Sequence, residues 1–200
     1  MKKLITDISQ LDMNKQYTYA DYLTWRFSQR VELIKGWIHK MSPAPKSIHQ
    51  RVSGNVFGLI WVYLRNNKSC QMYDAPFDVR LTKNKGKNDE INTVVQPDIC
   101  VICDLEKIDE QGCLGAPDFI VEILSPSTSK KDYNEKYYLY EENGVQEYWI
   151  VNPDARSIEV FVLKEGKYYS EGVYTVLDGD KEVQVTIFPD LKLPLDEIFE

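Results

Sequence analysis

The chain has 200 residues, 43% of them hydrophobic and 28% charged, with a formal net charge of −7. That length buries a substantial core and sets the expectation of one domain over residues 1–200. The acidic balance argues against a protein that coats nucleic acid through a broadly basic surface, while leaving room for a local basic groove. No apolar run approaches the roughly 20 residues that cross a bilayer. The start, Met1-Lys2-Lys3-Leu4-Ile5-Thr6-Asp7, lacks the apolar stretch of a secretory signal, so a cytoplasmic location is the default expectation.

Residues 1–16 are polar and irregular and read as a loosely held lead-in. Thr18-Tyr19-Ala20-Asp21 has the form of a capping box and predicts a helix running to near Gln29. Val31-Glu32-Leu33-Ile34 and Trp37-Ile38-His39-Lys40-Met41 flank Lys35-Gly36, the pattern of a β-hairpin, which Ser42-Pro43-Ala44-Pro45 then breaks. Ser47-Ile48-His49-Gln50 is a second capping box, with Ser47 at the N-cap. The helix it opens carries Val52, Val56, Leu59, Ile60, Tyr63 and Leu64 on one stripe and ends near Asn66-Asn67.

Phe77, Val79 and Leu81 alternate with Asp78 and Arg80, the mark of a half-buried strand, and a polar hairpin loop with Lys83, Lys85 and Lys87 follows. Val94–Cys103 and Phe119–Leu124 are apolar enough for central strands. A helix begins after Ser129 and stops at Asn143-Gly144. Strands are expected at 147–152, 157–163, 168–176 and 182–188, with a short amphipathic turn at Leu195, Ile198 and Phe199. The sum is a mixed α/β domain without internal repeats. Cys100-x-x-Cys103 with Cys113 could supply thiolates to zinc, but the second pair of a zinc ribbon is missing. Buried core thiols are the preferred reading.

Two acids sit inside the apolar strands. Glu122 shares a strand face with Ile120 and Leu124, where an unpaired carboxylate is strongly unfavourable. A salt-bridged or protonated structural Glu is an equal alternative until Asp98 is considered. If the strands that carry Asp98 and Glu122 are neighbours, roughly 4.8 Å apart, both acids can reach one divalent cation. Asp118 lies four residues from Glu122 on the same strand, about 13 Å away at roughly 3.3 Å per residue, too far to share that ion. Mg²⁺ typically takes one or two carboxylates with water and phosphate oxygens, and an ion so held activates water for phosphodiester hydrolysis. Lys136 would add a point charge near the reacting oxygens; otherwise it is an i,i+4 partner of Asp132. Glu32 alternates with Val31 and Leu33, a pattern that by itself favours solvent. His49 could be a packed residue or a phosphate contact, and Gln96 beside Asp98 could orient water or phosphate. Ser125-Pro126-Ser127 lacks a nucleophile elbow and reads as turn and cap residues.

Pro97-Asp98 followed by Glu122-x-Leu124 resembles the signature of the PD-(D/E)XK nuclease superfamily with its third residue altered. The longer pattern resembles the Uma-two family of restriction-endonuclease-like proteins. It comprises Glu32-Leu33-Ile34-x-Gly36, Met41-Ser42-Pro43, His49, Pro97-Asp98, Pro117-Asp118, Val121-Glu122-Ile123-Leu124-Ser125-Pro126, Asp132, Lys136, Tyr140 and Gly144-Val145-x-Glu147-Tyr148-Trp149-Ile150-Val151. The resemblance implies a restriction-endonuclease-like central mixed β-sheet flanked by helices, here with an added hairpin and C-terminal strands. It also implies Mg²⁺-dependent (or Mn²⁺-dependent) cleavage of phosphodiesters in DNA, often by a homodimer. Asp98 and Glu122 would bind the metal, and Glu32 would be an additional acid. Leu124 stands where the superfamily motif places lysine, so the resemblance shifts that role to Lys136. The alternative is a module that keeps the nuclease fold and binds nucleic acid or protein without turnover.

Overall fold

The computed structural model describes residues 4–41, 46–83, 86–126 and 129–200. The proline-rich break at 42–45, Lys85 and Ser127 lie outside them. In chain order the elements are α1 (Tyr19–Tyr22), β1 (Val31–Ile34), β2 (Trp37–Lys40), α2 (Ser47–Asn66), β3 (Gln71–Asp74), β4 (Val79–Arg80), β5 (Val94–Val95), β6 (Ile99–Ile102), β7 (Ile108–Asp109), β8 (Gly112–Leu114) and β9 (Phe119–Ile123). They continue with α3 (Ser129–Lys131), a π-helical turn (Asp132–Lys136), α4 (Tyr137–Asn143), β10 (Glu147–Asn152), β11 (Ser157–Lys164), β12 (Lys167–Thr175), β13 (Glu182–Gln184), β14 (Lys192–Pro194) and α5 (Leu195–Phe199).

Two mixed sheets carry the fold. One has the order β2-β1-β5-β4-β8-β7, the other β12-β11-β10-β9-β6-β3, and β13-β14 form a separate pair. The apolar stretch that begins at Val94 is therefore divided: β5 joins the first sheet and β6 the second. Gln96-Pro97-Asp98 is the crossing point, and proline suits it because it has no N–H to give a ladder. Within the second sheet β9 and β10 run parallel, in register Ile120↔Tyr148 and Glu122↔Ile150. Parallel neighbours need a crossover. Here it consists of α3, the π-helical turn and α4, which cover one face of the sheet.

The opposite face is covered by α2, whose Val52, Val56, Ile60 and Leu64 pack with Val121, Ile123, Trp149 and Val151. Ile120, Tyr148 and Ile150 point the other way, into a cluster with Leu139 and Tyr140. Each strand is thus apolar on both sides, as the sequence of β9 requires. The C-terminal residues Val183, Val185, Leu193, Leu195 and Ile198 complete the α2 side of the core. The fully buried Glu147 ties them down, accepting from Trp149 Nε1 (2.7 Å), Thr186 N (3.0 Å) and Ile187 N (2.8 Å).

Several local expectations change. The helix expected to reach Gln29 stops at Tyr22, because Trp25 turns to pair with Ile5 and Arg26 N donates to Ile5 O (2.7 Å). That pairing, with Leu11 buried beside Tyr17 and Trp25, ties down the lead-in from residue 4 onward. Ser47 is the first residue of α2, with Lys46 at the cap and no side-chain capping bond. Arg80, expected on a solvent face, is 2% exposed and reaches Asp109 Oδ1 at 2.6 Å.

The cysteines also differ from the core-thiol reading. β3 pairs antiparallel with β6, Gln71 facing Ile102. One step further along that register Cys70 faces Cys103, and the two form a disulfide. Cys103 is then unable to join Cys100 and Cys113 on zinc. The latter two are buried free thiols whose pKa burial pushes up, to about 12 for Cys113, which opposes the thiolate form that metals need.

Candidate active site

The site lies where the two sheets meet. β6 and β9 are antiparallel neighbours with Ile99 facing Val121. Extending this register by one position sets Asp98 opposite Glu122, the adjacency on which their pairing depended. Asp98 Oδ2 accepts from Ile123 N (2.8 Å) and sits 3.4 Å from His49 Nε2 at the start of α2.

Lys136, 4% exposed, projects from the π-helical turn onto the end of β9. Such turns re-aim side chains that an uninterrupted α-helix would point elsewhere, and they recur at functional sites. Its ammonium donates to Glu122 Oε1 at 2.6 Å, lies 3.2 Å from Glu32 Oε1 and 3.9 Å from Asp132 Oδ1. Tyr140 OH, one turn further along the helix, donates to the same Glu122 oxygen (2.7 Å).

Glu32 arrives from β1 in the other sheet. It is 1% exposed, against the solvent-facing reading of its alternation, because Gln96, just after β5, donates its N–H to Glu32 Oε1 (3.0 Å) and Lys131 and Lys136 close over the carboxylate. Lys131 pairs with the second oxygen of Glu32. Gln96 does not offer its side chain to a ligand. Its Oε1 accepts from Arg30, and its Nε2 donates to Asp78 Oδ1 (2.8 Å) and Tyr22 OH (3.3 Å). Asp118 is structural, accepting from Cys103 N (2.7 Å) and Gln146 Nε2 (2.8 Å).

These contacts divide the acids electrically. Burial raises the Glu32 pKa, but Lys136, Lys131 and the hydrogen bonds from Lys131 and Gln96 outweigh it and bring the carboxyl down to about 2. Burial dominates at Glu122 and, with Asp132, Asp98 and Glu32 nearby, lifts it to about 8 in spite of Lys136. Lys136 is desolvated too, yet Glu122, Glu32 and Asp132 hold it well above the ordinary lysine value, so it stays charged. Burial also opposes charge on His49, but Asp98 outweighs burial and raises its pKa. Among the described residues His49 Nδ1 is buried with no hydrogen-bond partner.

Glu32, Asp98, Glu122 and Asp132 outnumber Lys131 and Lys136, and that crowding adds to burial in favouring the proton on Glu122. Among the described residues no group of three or more His, Cys, Asp and Glu side chains forms a ready metal cage. Mg²⁺ does not need one. Hard carboxylate oxygens in a site with surplus negative charge fit such an ion.

The chain has matches among known proteins. The Uma2 family, described as "Putative restriction endonuclease", matches residues 19–196, nearly the whole chain. This chain belongs to the Uma2 family. An uncharacterized protein of Synechocystis sp. is 26% identical to this Uma2 chain over 144 residues, covering 70% of it and 71% of the relative. A crystal structure from Anabaena variabilis, described as "a putative nuclease belonging to DUF820", superposes with a TM-score of 0.72. It is 22% identical, and the match covers 92% of this chain and 97% of that one, which establishes a shared nuclease-like fold. No helix among the described residues is long and apolar enough to cross a membrane.

Lys131 and Tyr140 are the site residues that reasoning from single positions missed. Tyr140 stood within the family pattern without a role, and Lys131 carried no signal beyond being basic.

Proposed function

We propose that this Uma2 protein is a Mg²⁺-dependent endonuclease that hydrolyses phosphodiester bonds in DNA, with Mn²⁺ able to substitute. One observation carries the reading: a single buried ammonium, Lys136, joins Glu122 to Glu32 at the point where Asp98 lies across from Glu122. Asp98 and Glu122 would hold the ion. When bound, it supplies a Lewis acid and a water made acidic enough to attack at neutral pH.

The chain's own groups do the rest. Tyr140 and Lys136 fix the Glu122 carboxyl, and His49 and Ile123 N fix Asp98, so the acids are oriented before substrate arrives. Lys136 keeps a positive charge beside the site and can offset charge that develops on the phosphate oxygens. Glu32 holds Lys136 from the opposite sheet and acts as a positioning residue. The same proposal takes residues 1–200 as one domain, since Lys136 bonds both sheets, and places a homodimer in the cytoplasm.

The test is purified protein with Mg²⁺ or Mn²⁺ on plasmid, single-stranded DNA and RNA, together with titration calorimetry on wild type and Asp98→Ala. Cleavage of DNA, and metal-binding heat that Asp98→Ala abolishes, are the expected results. Absence of cleavage on every substrate, with binding heat unchanged in Asp98→Ala, would sink the proposal. Nucleic-acid binding unaffected by Asp98→Ala and Glu122→Ala, without turnover, would select a binding module instead.

A further inference from the structure

We propose that Arg30 is a phosphate-binding residue of this site, set to grip a phosphodiester next to the one cleaved. The inference rests on the nuclease reading above and concerns a residue to which that reading gives no part. Arg30 immediately precedes β1, and its carbonyl accepts from Met41 N (3.0 Å), so it continues the β1–β2 ladder two positions before Glu32. The residue is exposed, yet its guanidinium is fixed: Nε and Nη2 donate to Gln96 Oε1 at 2.9 Å and 2.7 Å. Gln96 is the same residue whose backbone N–H holds Glu32, and it precedes Asp98 by two positions. The guanidinium is therefore attached to the edge of the acidic site through one buried side chain.

The nature of the anchor matters more than its presence. Surface arginines usually find a carboxylate, which orients them and cancels their charge. Among the described residues Arg30 makes no ion pair, and its anchor is a neutral amide oxygen. The half-buried Asp78 beneath Gln96 takes its hydrogen bonds from Gln96 and Tyr22 and feels the Arg30 charge only through space. An arginine held by an amide is oriented without being neutralised. Among the described residues no acceptor meets the Nη1 hydrogens or the second on Nη2, which lie in the planar fork that suits phosphate oxygens. A site rich in carboxylates repels a polyanion, so a fixed cation with no carboxylate bonded to it gives the backbone a foothold at the rim. Ordering costs are small, because Gln96 has already removed much of the side chain's freedom.

The experiment measures binding of a fluorescein-labelled 20-base-pair DNA duplex, a single strand and an RNA duplex of the same sequence. Ca²⁺ replaces Mg²⁺, and salt is varied for wild type, Arg30→Gln and Arg30→Lys. For Arg30→Gln we expect affinity to fall about tenfold or more and the slope of log Kd against log salt to drop by about one. Arg30→Lys keeps the slope but binds several-fold more weakly, since it has charge without the two-point hold on Gln96. A loss confined to one of the three nucleic acids assigns Arg30 to that backbone. Thermal melts check that the variants fold; should Arg30→Gln fail to fold, Arg30→Lys decides alone, and wild-type affinity in it overturns the inference. Equal affinities and slopes in all three proteins, with wild type binding and cleaving, overturn the role of Arg30 and leave the nuclease reading standing. Failure of wild type to bind any of the nucleic acids overturns both.

Discussion

Replacing Glu122 by Gln tests the electrostatic account of the site more directly than any loss of activity. The carboxyl is 4% exposed and its pKa stands near 8 in the folded protein, against about 4.5 for an exposed glutamate. Between these values the folded chain holds a proton that the unfolded chain has lost. Stability therefore falls as pH rises from about 4.5 through about 8, by up to about 1.4 kcal/mol per pH unit. Gln keeps the shape, and its oxygen can still accept from Lys136 and Tyr140, but it cannot titrate. Urea unfolding of both proteins at pH 5, 6, 7 and 8 in EDTA isolates the effect, since other titrating groups cancel in the difference. The stability of wild type relative to Glu122→Gln should decline steadily over that window, by a few kcal/mol in all. A constant difference would refute the reasoning. So would a rising one, which would mean that the 2.6 Å contact with Lys136 overcomes burial and keeps Glu122 an ordinary ionised partner.

Three further outcomes follow from the same geometry. Lys136→Met strips Glu122 and Glu32 of a shared buried partner and should cost about 3–5 kcal/mol as well as abolish cleavage. The loss should be seen as a melting temperature lower by on the order of 10 °C. Tyr140→Phe removes one of two donors to Glu122 Oε1 and should cost about 1–2 kcal/mol in urea unfolding while sparing the secondary structure seen by circular dichroism. Glu147→Ala leaves Trp149 Nε1 and the amides of Thr186 and Ile187 without an acceptor, for about 3 kcal/mol or more. Hydrogen exchange should then quicken around residues 185–188 before the rest of the chain.

Much of the second sheet is legible from the sequence because its strands are apolar on both faces and bounded by turn residues. The adjacency of Asp98 and Glu122 was conditional on strand order, and the β6–β9 ladder meets the condition. Lys136 was legible as a candidate point charge, and the longer family pattern strengthened it, but its full burial depends on a π-helical turn that i,i+4 reasoning does not anticipate. Glu32 shows the limit most clearly. In a four-residue strand an alternating acid looks solvated, and nothing local reveals that another strand, a crossover turn and two lysines will close over it. The division into two sheets was hidden because Pro97 interrupts an apolar run by only a few residues. The Cys70–Cys103 pair was hidden because β3, short and mostly polar, gave no strand signal, and without β3 there is no ladder to bring the two sulfurs together.

The spacing of the partners of Lys136 along the chain bears on the order of assembly. Glu122 is 14 residues away, within a strand and the crossover that follows it, so half of the cluster belongs to a local unit. Glu32 reaches Lys131 across 99 residues and Gln96 across 64, and these contacts come only after long loops have been closed. Loop entropy must be spent before such distant pairs are rewarded, which puts the arrival of β1 late. Until then Lys136 has two local carboxylates, Glu122 and Asp132, rather than three, and Glu122 has no counterpart from the first sheet. The cluster thus acts as a completion signal. Only a chain whose first hairpin has come home to its second sheet carries the finished constellation, and a fragment or a stalled intermediate does not.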